Sequence, residues 1–242
     1  MKKTYTFDVS PQAVDFNLQI TLSSLTALLM TAAGNNAEEN GFGMRQMNTG
    51  NNTWVLLRLA IEMDSFPKQY EEVRIETWIE DIKILSTTRN FHIKDKHDQT
   101  LGYGTSVWAM IDFDTRRPQD LSQFENLLQF EQGDKTPMAP PAKLKLVEGE
   151  LKDDFTAKYS HIDFNRHVNT MRYVEWISNC FSPDQYSTKK IKRFDINFMS
   201  EILFGNSIQL FMQTASEKDT YLFELRSSDK TSCRAKLVFE DL

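Results

Sequence analysis

Asp163, Asn165 and His167 form the part of the sequence that is best suited to chemistry. They stand at alternate positions, just before an apolar pattern of helical spacing that runs through Trp176. A histidine side chain has an unperturbed pKa near ~6.5, so it can exchange a proton near neutral pH. A carboxamide can orient a water molecule or bond a carbonyl oxygen, and a helix start offers unpaired N–H groups to an oxyanion. The segment therefore predicts a catalytic site at the start of a helix.

A second segment near the beginning of the chain resembles the first. Asp15-Phe16-Asn17 repeats Asp163-Phe164-Asn165, but Gln19 stands where the later segment has His167. An intact copy beside an altered copy predicts a duplicated unit with one active site. That site is expected in the C-terminal copy.

Bulk properties exclude several classes of protein. The chain has 242 residues, 40% of them hydrophobic, and a net charge of −6, which argues against general nucleic-acid binding. No apolar run reaches the roughly 18 residues of a membrane-spanning helix. The start carries no signal or transit pattern, and Cys180 and Cys233 provide no disulfide framework. We therefore expect a cytoplasmic protein.

Alternation of apolar and polar residues dominates the sequence and predicts strands with one buried face. Examples are the segments 55–63, 73–79, 107–113, 194–198, 208–212, 221–225 and 235–239. Two stripes have helical spacing instead, one from Leu22 to Ala32 that ends near Gly34, and one from Val168 to Phe181. A shorter helix is predicted over 121–130. The order of strand, long helix and several strands thus occurs twice.

This order predicts an α+β fold in which each of two fused repeats packs a helix on an antiparallel sheet. The predicted N-terminal repeat covers residues 1–130, a Pro- and Gly-containing linker covers 131–150, and the C-terminal, catalytic repeat covers 151–242. Two unrelated α+β domains with the same general patterning are the alternative.

The sequence resembles the acyl-acyl-carrier-protein (acyl-ACP) thioesterases, which have a double-hotdog fold, over nearly its whole length. The matching segments are Asn40-Gly41-Phe42-Gly43, the strand from Trp54, Glu76-Thr77-Trp78, Ser106–Met110 through Thr115-Arg116-Arg117, and Asn165–Asn169 with Tyr173 and Trp176. The resemblance implies hydrolysis of the fatty acyl thioester of acyl carrier protein, which ends fatty-acid synthesis. Plant members of the family carry a plastid transit peptide, and its absence here points to a bacterial, cytoplasmic member. No cofactor or metal is expected.

The resemblance also implies a catalytic set of Asp163, Asn165, His167 and Glu201. Glu201 suits either a general base for water or a partner that raises the basicity of His167, and the sequence leaves this choice open. An older scheme for the family places a cysteine after the glutamate, but Ile202 stands here. Attack by an activated water is therefore preferred to a thiolate.

The motif also allows a structural role and a metal-binding role. Asp163 or Asn165 could serve only to cap the helix. His161, Asp163 and His167 could be metal ligands, although their spacing matches no standard zinc signature.

Two sets of residues are predicted to bind the substrate. Each methylene of an acyl chain gains about 0.8 kcal/mol on leaving water, so an apolar channel is expected along the first helix and its sheet. The candidates for its lining, which ordinary core packing would also account for, are Leu25, Leu29, Met30, Trp54 and Trp108. Because acyl carrier protein is acidic, a local cationic patch should dock it. The candidates, which could equally form a solvated charged loop, are Arg166, Arg172, Lys189, Lys190 and Lys192.

Two other functions fit the same fold. The carrier could be coenzyme A instead of acyl carrier protein, or the protein could bind acyl chains without hydrolysing them. A homodimer of the fused pair is also possible.

Overall fold

The computed structural model describes residues 2–242 and divides the chain into two compact units, Met1–Pro141 and Ala142–Leu242. Each unit contains a helix-rich segment followed by a run of antiparallel strands. Among the described residues, no helix is long and apolar enough to cross a membrane.

The first unit has five strands in the order β1-β3-β4-β5-β2, each antiparallel to its neighbour. The strands are β1 (Lys3–Asp8), β2 (Asn52–Met63), β3 (Glu72–Ile82), β4 (Thr87–Asp95) and β5 (Thr100–Asp112). The helices are α1 (Leu22–Glu39), α2 (Met44–Thr49) and α3 (Glu125–Leu128), with 3₁₀ turns at Pro11–Ala13 and Leu121–Gln123.

The second unit repeats this plan with the strand order β6-β8-β9-β10-β7. Its strands are β6 (Glu150–Thr156), β7 (Lys189–Phe198), β8 (Ser207–Thr214), β9 (Thr220–Ser227) and β10 (Lys230–Asp241). Its helices are α4 (Thr170–Ser178) and α5 (Pro183–Thr188), with a 3₁₀ turn at Tyr159–His161. Strand for strand the two orders correspond, which confirms the predicted α+β repeat.

The long helix of the first unit packs closely on its sheet. Leu25 and Leu29 on α1 are fully buried. Gly104 on β5 makes this possible, because a Cβ there would lie 3.2 Å from the Phe91 ring and 3.4 Å from Leu29 Cδ1. Because side chains along a strand point alternately to the two faces of the sheet, one face packs against α1, as the sequence predicts.

Helix boundaries differ from the predicted ones. α1 continues past Gly34 to Glu39, because Asn36 is buried and its Oδ1 accepts a hydrogen bond of 2.8 Å from Arg89 Nη1. Tyr5 on β1 also donates to Glu39 at 2.7 Å. Tertiary contacts thus outweigh the weak helix propensity of glycine. The single helix predicted over 121–130 is instead a 3₁₀ turn followed by α3.

The predicted linker 131–150 divides between the two units at Pro141. In the first unit, Trp78 Nε1 donates to the Asp134 carbonyl at 2.7 Å. In the second unit, side chains of the sheet accept backbone N–H groups of the linker: Asp195 accepts from Ala142 at 3.1 Å, and Asn197 accepts from Leu144 at 3.0 Å. Each part of the linker is therefore bound to its own unit.

Candidate active site

A tight turn, and not a helix start, carries the predicted catalytic residues. The Asp163 N–H donates to the His167 carbonyl at 2.8 Å, and the Arg166 N–H donates to the Asp163 carbonyl at 3.0 Å. Arg166 closes the turn with a φ of 66°, a region that a residue with a side chain rarely adopts. Asp163 Oδ1 also accepts the backbone N–H groups of Asn165 at 2.8 Å and His167 at 3.3 Å. The Asp163 carboxylate therefore holds both of these residues in place.

Neither Asp163 nor Asn165 caps the helix. α4 begins at Thr170, and its N-cap is Asn169, whose side chain accepts from the Met171 N–H at 3.1 Å. The helix starts beyond His167, and the N–H groups of Met171 and Arg172 already bond Asn169. Stabilisation of an oxyanion by the helix N-terminus therefore stays a prediction.

His167 and Glu201 lie within hydrogen-bonding distance of each other. His167 pairs with Leu203 in an antiparallel bridge, and the Val168 N–H donates to the Ile202 carbonyl at 2.8 Å. In this register Glu201 is a diagonal neighbour of His167, on the same face, within reach of a long side chain. His167 Nε2 lies 3.2 Å from Glu201 Oε2, with 22% of the histidine side chain and 41% of the glutamate side chain exposed. The pair is thus partly open to water.

Asn165 is half-buried on the same turn. Its backbone N–H is used by Asp163, but no hydrogen bond among residues 2–242 engages its carboxamide. A fixed backbone with an available amide is suited to donating a hydrogen bond to a substrate carbonyl oxygen.

The first unit contains the same turn without the same chemistry. Asp15 Oδ1 accepts the backbone N–H groups of Asn17 at 2.8 Å and Gln19 at 3.1 Å, and Leu18, with a φ of 59°, closes the turn. The Ile20 N–H donates to the Pro67 carbonyl at 2.9 Å, as Val168 does to Ile202. Each turn therefore has an equivalent partner segment.

The equivalent segments show what the first unit lacks. Since Pro67 stands where Ile202 does, the residue before it, Phe66, occupies the position of Glu201. Gln19 and Phe66 thus replace both members of the imidazole–carboxylate pair. Sequence analysis identified the loss of the histidine but missed Phe66, because only the backbone pairing reveals its register.

A metal site finds no support at the turn. His161 Nδ1 accepts from the Lys158 N–H at 3.1 Å, and the ring packs edge-on against Trp176 with centroids 5.2 Å apart. Within the part of the chain that the structure describes, no three His, Cys, Asp or Glu side chains are grouped to hold a metal ion.

The two cysteines are poorly placed to act as nucleophiles. Cys180 follows the end of α4, its thiol donates to the Trp176 carbonyl at 3.6 Å, and burial raises its pKa to about 11. Cys233 on β10 is fully buried, and burial raises the pKa of its thiol still further. Because the thiolate is the reactive form, both thiols are expected to be inert near neutral pH.

The residues predicted to line the acyl channel lie in the first unit. Leu25 and Leu29 are fully buried between α1 and the sheet, while Met30 is half-buried on the same helix. Ordinary core packing accounts for the two leucines. Met30 is the most solvent-accessible of the three side chains.

Both candidate tryptophans are half-buried and held by their indole N–H groups. Trp54 Nε1 donates to the Phe42 carbonyl and Trp108 Nε1 donates to Ser106 Oγ, each at 2.8 Å. Each of these hydrogen bonds favours one orientation of its indole ring.

Several of the predicted docking cations have carboxylate partners. Lys189 forms ion pairs with Asp219 and Asp241, and Lys190 Nζ lies 3.0 Å from Glu240. These pairs reduce the positive potential at the start of β7.

The remaining docking candidates differ in position. Arg172 on α4 bonds Glu175 at 2.6 Å, and Lys192 is half-buried on β7. Arg166 is exposed and directly adjacent to His167. It is therefore the cation of this set with the best access to a partner at the site.

Comparison with known proteins agrees with the two-unit structure. Residues 1–124 match the model of the acyl-ACP thioesterase N-terminal domain, and residues 144–241 match that of the C-terminal domain. In an alignment of 256 residues, the chain is 25% identical to the chloroplastic oleoyl-acyl carrier protein thioesterase of Coriandrum sativum. The match covers 97% of this chain and 69% of that protein. A similar match to oleoyl-acyl carrier protein thioesterase 1 of Arabidopsis thaliana covers 87% of this chain and 63% of that protein, so the chain spans about two thirds of these relatives.

Solved structures confirm the double-hotdog fold. An acyl-ACP thioesterase from Bacteroides thetaiotaomicron superposes with a TM-score of 0.93 at 38% identity, covering 99% of this chain and 98% of that one. The 12:0-ACP thioesterase of Umbellularia californica shows the same fold, with a TM-score of 0.85 at 18% identity, and covers 100% and 98% of the two chains. The chain belongs to the acyl-ACP thioesterase family of thioester hydrolases.

Proposed function

We propose that the protein hydrolyses the thioester between a fatty acyl chain and acyl carrier protein, and so ends fatty-acid synthesis. The observation that carries the proposal is the 3.2 Å contact between His167 Nε2 and Glu201 Oε2. Asn165, whose carboxamide has no hydrogen bond among residues 2–242, stands on the same turn as His167. An imidazole, a carboxylate and an amide donor together supply a base for water and a donor for an oxyanion.

The proposed reaction proceeds in two steps from a bound thioester. Water attacks the thioester carbon while its proton passes to the His167–Glu201 pair, and the carbonyl oxygen becomes an oxyanion that the Asn165 amide stabilises. The carbon–sulfur bond then breaks, the proton returns to sulfur, and the products are a free fatty acid and the carrier thiol. Because His167 Nε2 and Glu201 Oε2 lie 3.2 Å apart, we treat the pair as a single proton-accepting unit.

We propose Arg166 as the main docking cation for the acidic carrier protein. It is exposed on the catalytic turn, whereas Lys189, Lys190 and Arg172 have carboxylate partners. A positive charge beside the site steers an acidic partner toward it. In the first unit the equivalent position is the apolar Leu18.

Two further proposals concern the compartment and the assembly of the protein. Cys180 and Cys233 form no disulfide, which suits the cytoplasm, the compartment that we propose. Assembly into a homodimer remains a prediction. Solution scattering of the purified chain tests it.

Rates of hydrolysis of acyl-ACP and acyl-CoA substrates of graded chain length test which of the two carriers the protein uses. For Arg166→Glu we expect kcat/KM to fall by ~10-fold or more with acyl-ACP, and to change little with acyl-CoA. Arg45→Glu, an exposed change in the first unit, is the matched control and should leave both values unchanged.

The same panel separates the alternatives. Turnover of acyl-CoA without turnover of acyl-ACP would assign the protein to coenzyme A substrates. Binding of acyl chains without turnover of either substrate would make it a binding module.

A further inference from the structure

The segment that leads from β7 to Glu201 is anchored to β10. Regular pairing of the two strands ends at Phe198. Beyond that residue the Ser232 carbonyl on β10 accepts two backbone N–H groups, from Met199 at 2.9 Å and from Ser200 at 3.2 Å. Both hydrogen bonds therefore lie within two residues of the catalytic carboxylate.

The acceptor of these two bonds belongs to a β-bulge. Ser232 is an extra residue in β10, because Thr231 and Cys233 on either side of it pair with consecutive residues of β9. Such a bulge interrupts the regular ladder and changes the local direction of the strand. Ser232 is fully buried, and Thr231 Oγ1 donates to the buried Glu224 carboxylate at 3.1 Å. The bulge is thus held firmly in the sheet.

The Ser200 side chain adds a third hydrogen bond to the bulge. Its hydroxyl donates to the Thr231 carbonyl at 3.0 Å. On the other side of Glu201, the Ile202 carbonyl accepts from the Val168 N–H at 2.8 Å. The backbone is therefore held on both sides of Glu201, to the sheet before it and to the catalytic turn after it.

The first unit has the same bulge without the side-chain bond. Leu101 is the extra residue in β5, and its carbonyl accepts from the Asp64 N–H at 2.8 Å and from the Ser65 N–H at 3.2 Å. Ser65 thus corresponds to Ser200, directly before the phenylalanine that replaces the catalytic carboxylate. Ser65 is exposed, and its hydroxyl forms no hydrogen bond among residues 2–242. Only the backbone part of the anchor is therefore common to both units.

We propose that Ser200 is a positioning residue that holds Glu201 within reach of His167, an inference that rests on the proposed function. The Glu201 side chain is 41% exposed, so burial alone does not fix it. Its reach to His167 Nε2 depends on where its own backbone lies, and the Ser200 hydroxyl ties the preceding residue to the bulge. The hydroxyl acts through the backbone and takes no part in the proton transfer.

Ser200→Ala tests the proposal, because it removes the hydroxyl and keeps the backbone N–H groups that bond the Ser232 carbonyl. We expect kcat for acyl-ACP to fall by ~10-fold or more, as for a small misplacement of a catalytic group, while KM changes by less than about 2-fold. Ser65→Ala removes the equivalent hydroxyl of the first unit. It is the matched control and should leave kcat unchanged.

The same substitution in a Glu201→Gln background separates positioning from general support of the fold. If Ser200 acts through Glu201, adding Ser200→Ala to Glu201→Gln should cost little further activity. Thermal melting checks that each variant is folded.

Amide hydrogen exchange measures the anchor without an activity assay. In the unaltered protein the Met199 and Ser200 N–H groups should be protected, because both bond the Ser232 carbonyl. Both should exchange faster in Ser200→Ala, which lacks the third bond.

Three results would overturn the proposal. They are an unchanged kcat in Ser200→Ala, an equal loss of kcat in the presence and absence of the Glu201 carboxylate, and unprotected amides at residues 199 and 200 of the unaltered protein. A Glu201→Gln protein with full activity would instead contradict the proposed function, so the two failures can be distinguished.

Discussion

Replacement of His167 by alanine is expected to lower kcat for acyl-ACP hydrolysis by ~100-fold or more while the fold persists. The substitution removes the imidazole whose Nε2 lies 3.2 Å from Glu201 Oε2, so the pair can no longer share the proton of the attacking water. The turn should survive, because the Asp163 carboxylate bonds the backbone N–H groups of residues 165 and 167, which the substitution keeps. Steady-state kinetics, with circular dichroism and thermal melting, measure the effect.

The first unit supplies the matched control for this change. Gln19→Ala alters the equivalent position of a turn with the same backbone bonds, and we expect it to leave kcat within about 2-fold. Equal losses from the two substitutions would show that the turns act structurally. A His167→Ala protein that keeps most of its kcat would remove the imidazole from the mechanism.

Replacement of Asn165 by alanine should also lower kcat by ~100-fold, as the loss of one oxyanion donor does in other acyl-transfer enzymes. KM should change little, because the amide bonds the oxygen more strongly as negative charge develops on it. The carboxamide has no hydrogen bond among residues 2–242, so its removal leaves no protein group without a partner. The expected decrease in kcat would therefore reflect a slower chemical step and not a less stable turn.

Asn17→Ala is the control for the carboxamide, since Asn17 follows Asp15 as Asn165 follows Asp163. It should leave turnover unchanged. A rise in KM with kcat intact in Asn165→Ala would instead indicate that the amide only binds the substrate in its ground state.

Much of the fold follows from local patterns in the sequence. The alternation of apolar and polar residues in segments such as 73–79 and 221–225 follows from the two-residue period of a β-strand. This period is the same whichever elements lie beside the strand. The repeated Asp-Phe-Asn segments also indicate the duplication correctly, because each Asp uses its own short side chain to build the turn.

Features that depend on distant partners were not predictable in the same way. Asp163, Asn165 and Asn169 are all good N-cap residues, and only the pairing of His167 with Leu203 makes Asn169 the cap. The equivalence of Phe66 to Glu201 was also not predictable, because it depends on which backbone groups form hydrogen bonds between the turn and its partner segment. The extension of α1 beyond Gly34 depends on Arg89, which lies 53 residues beyond Asn36 in the chain.

The central claim is that water attacks the thioester directly at the C-terminal turn. A single turnover of acyl-ACP with excess protein in ¹⁸O-enriched water, quenched in acid and followed by intact-mass spectrometry, tests it most directly. We predict a fatty acid that carries one ¹⁸O atom and a protein whose mass never changes. An acyl adduct on Cys180, Cys233 or Glu201, or ¹⁸O in the Glu201 carboxylate with an unlabelled fatty acid, would contradict the account.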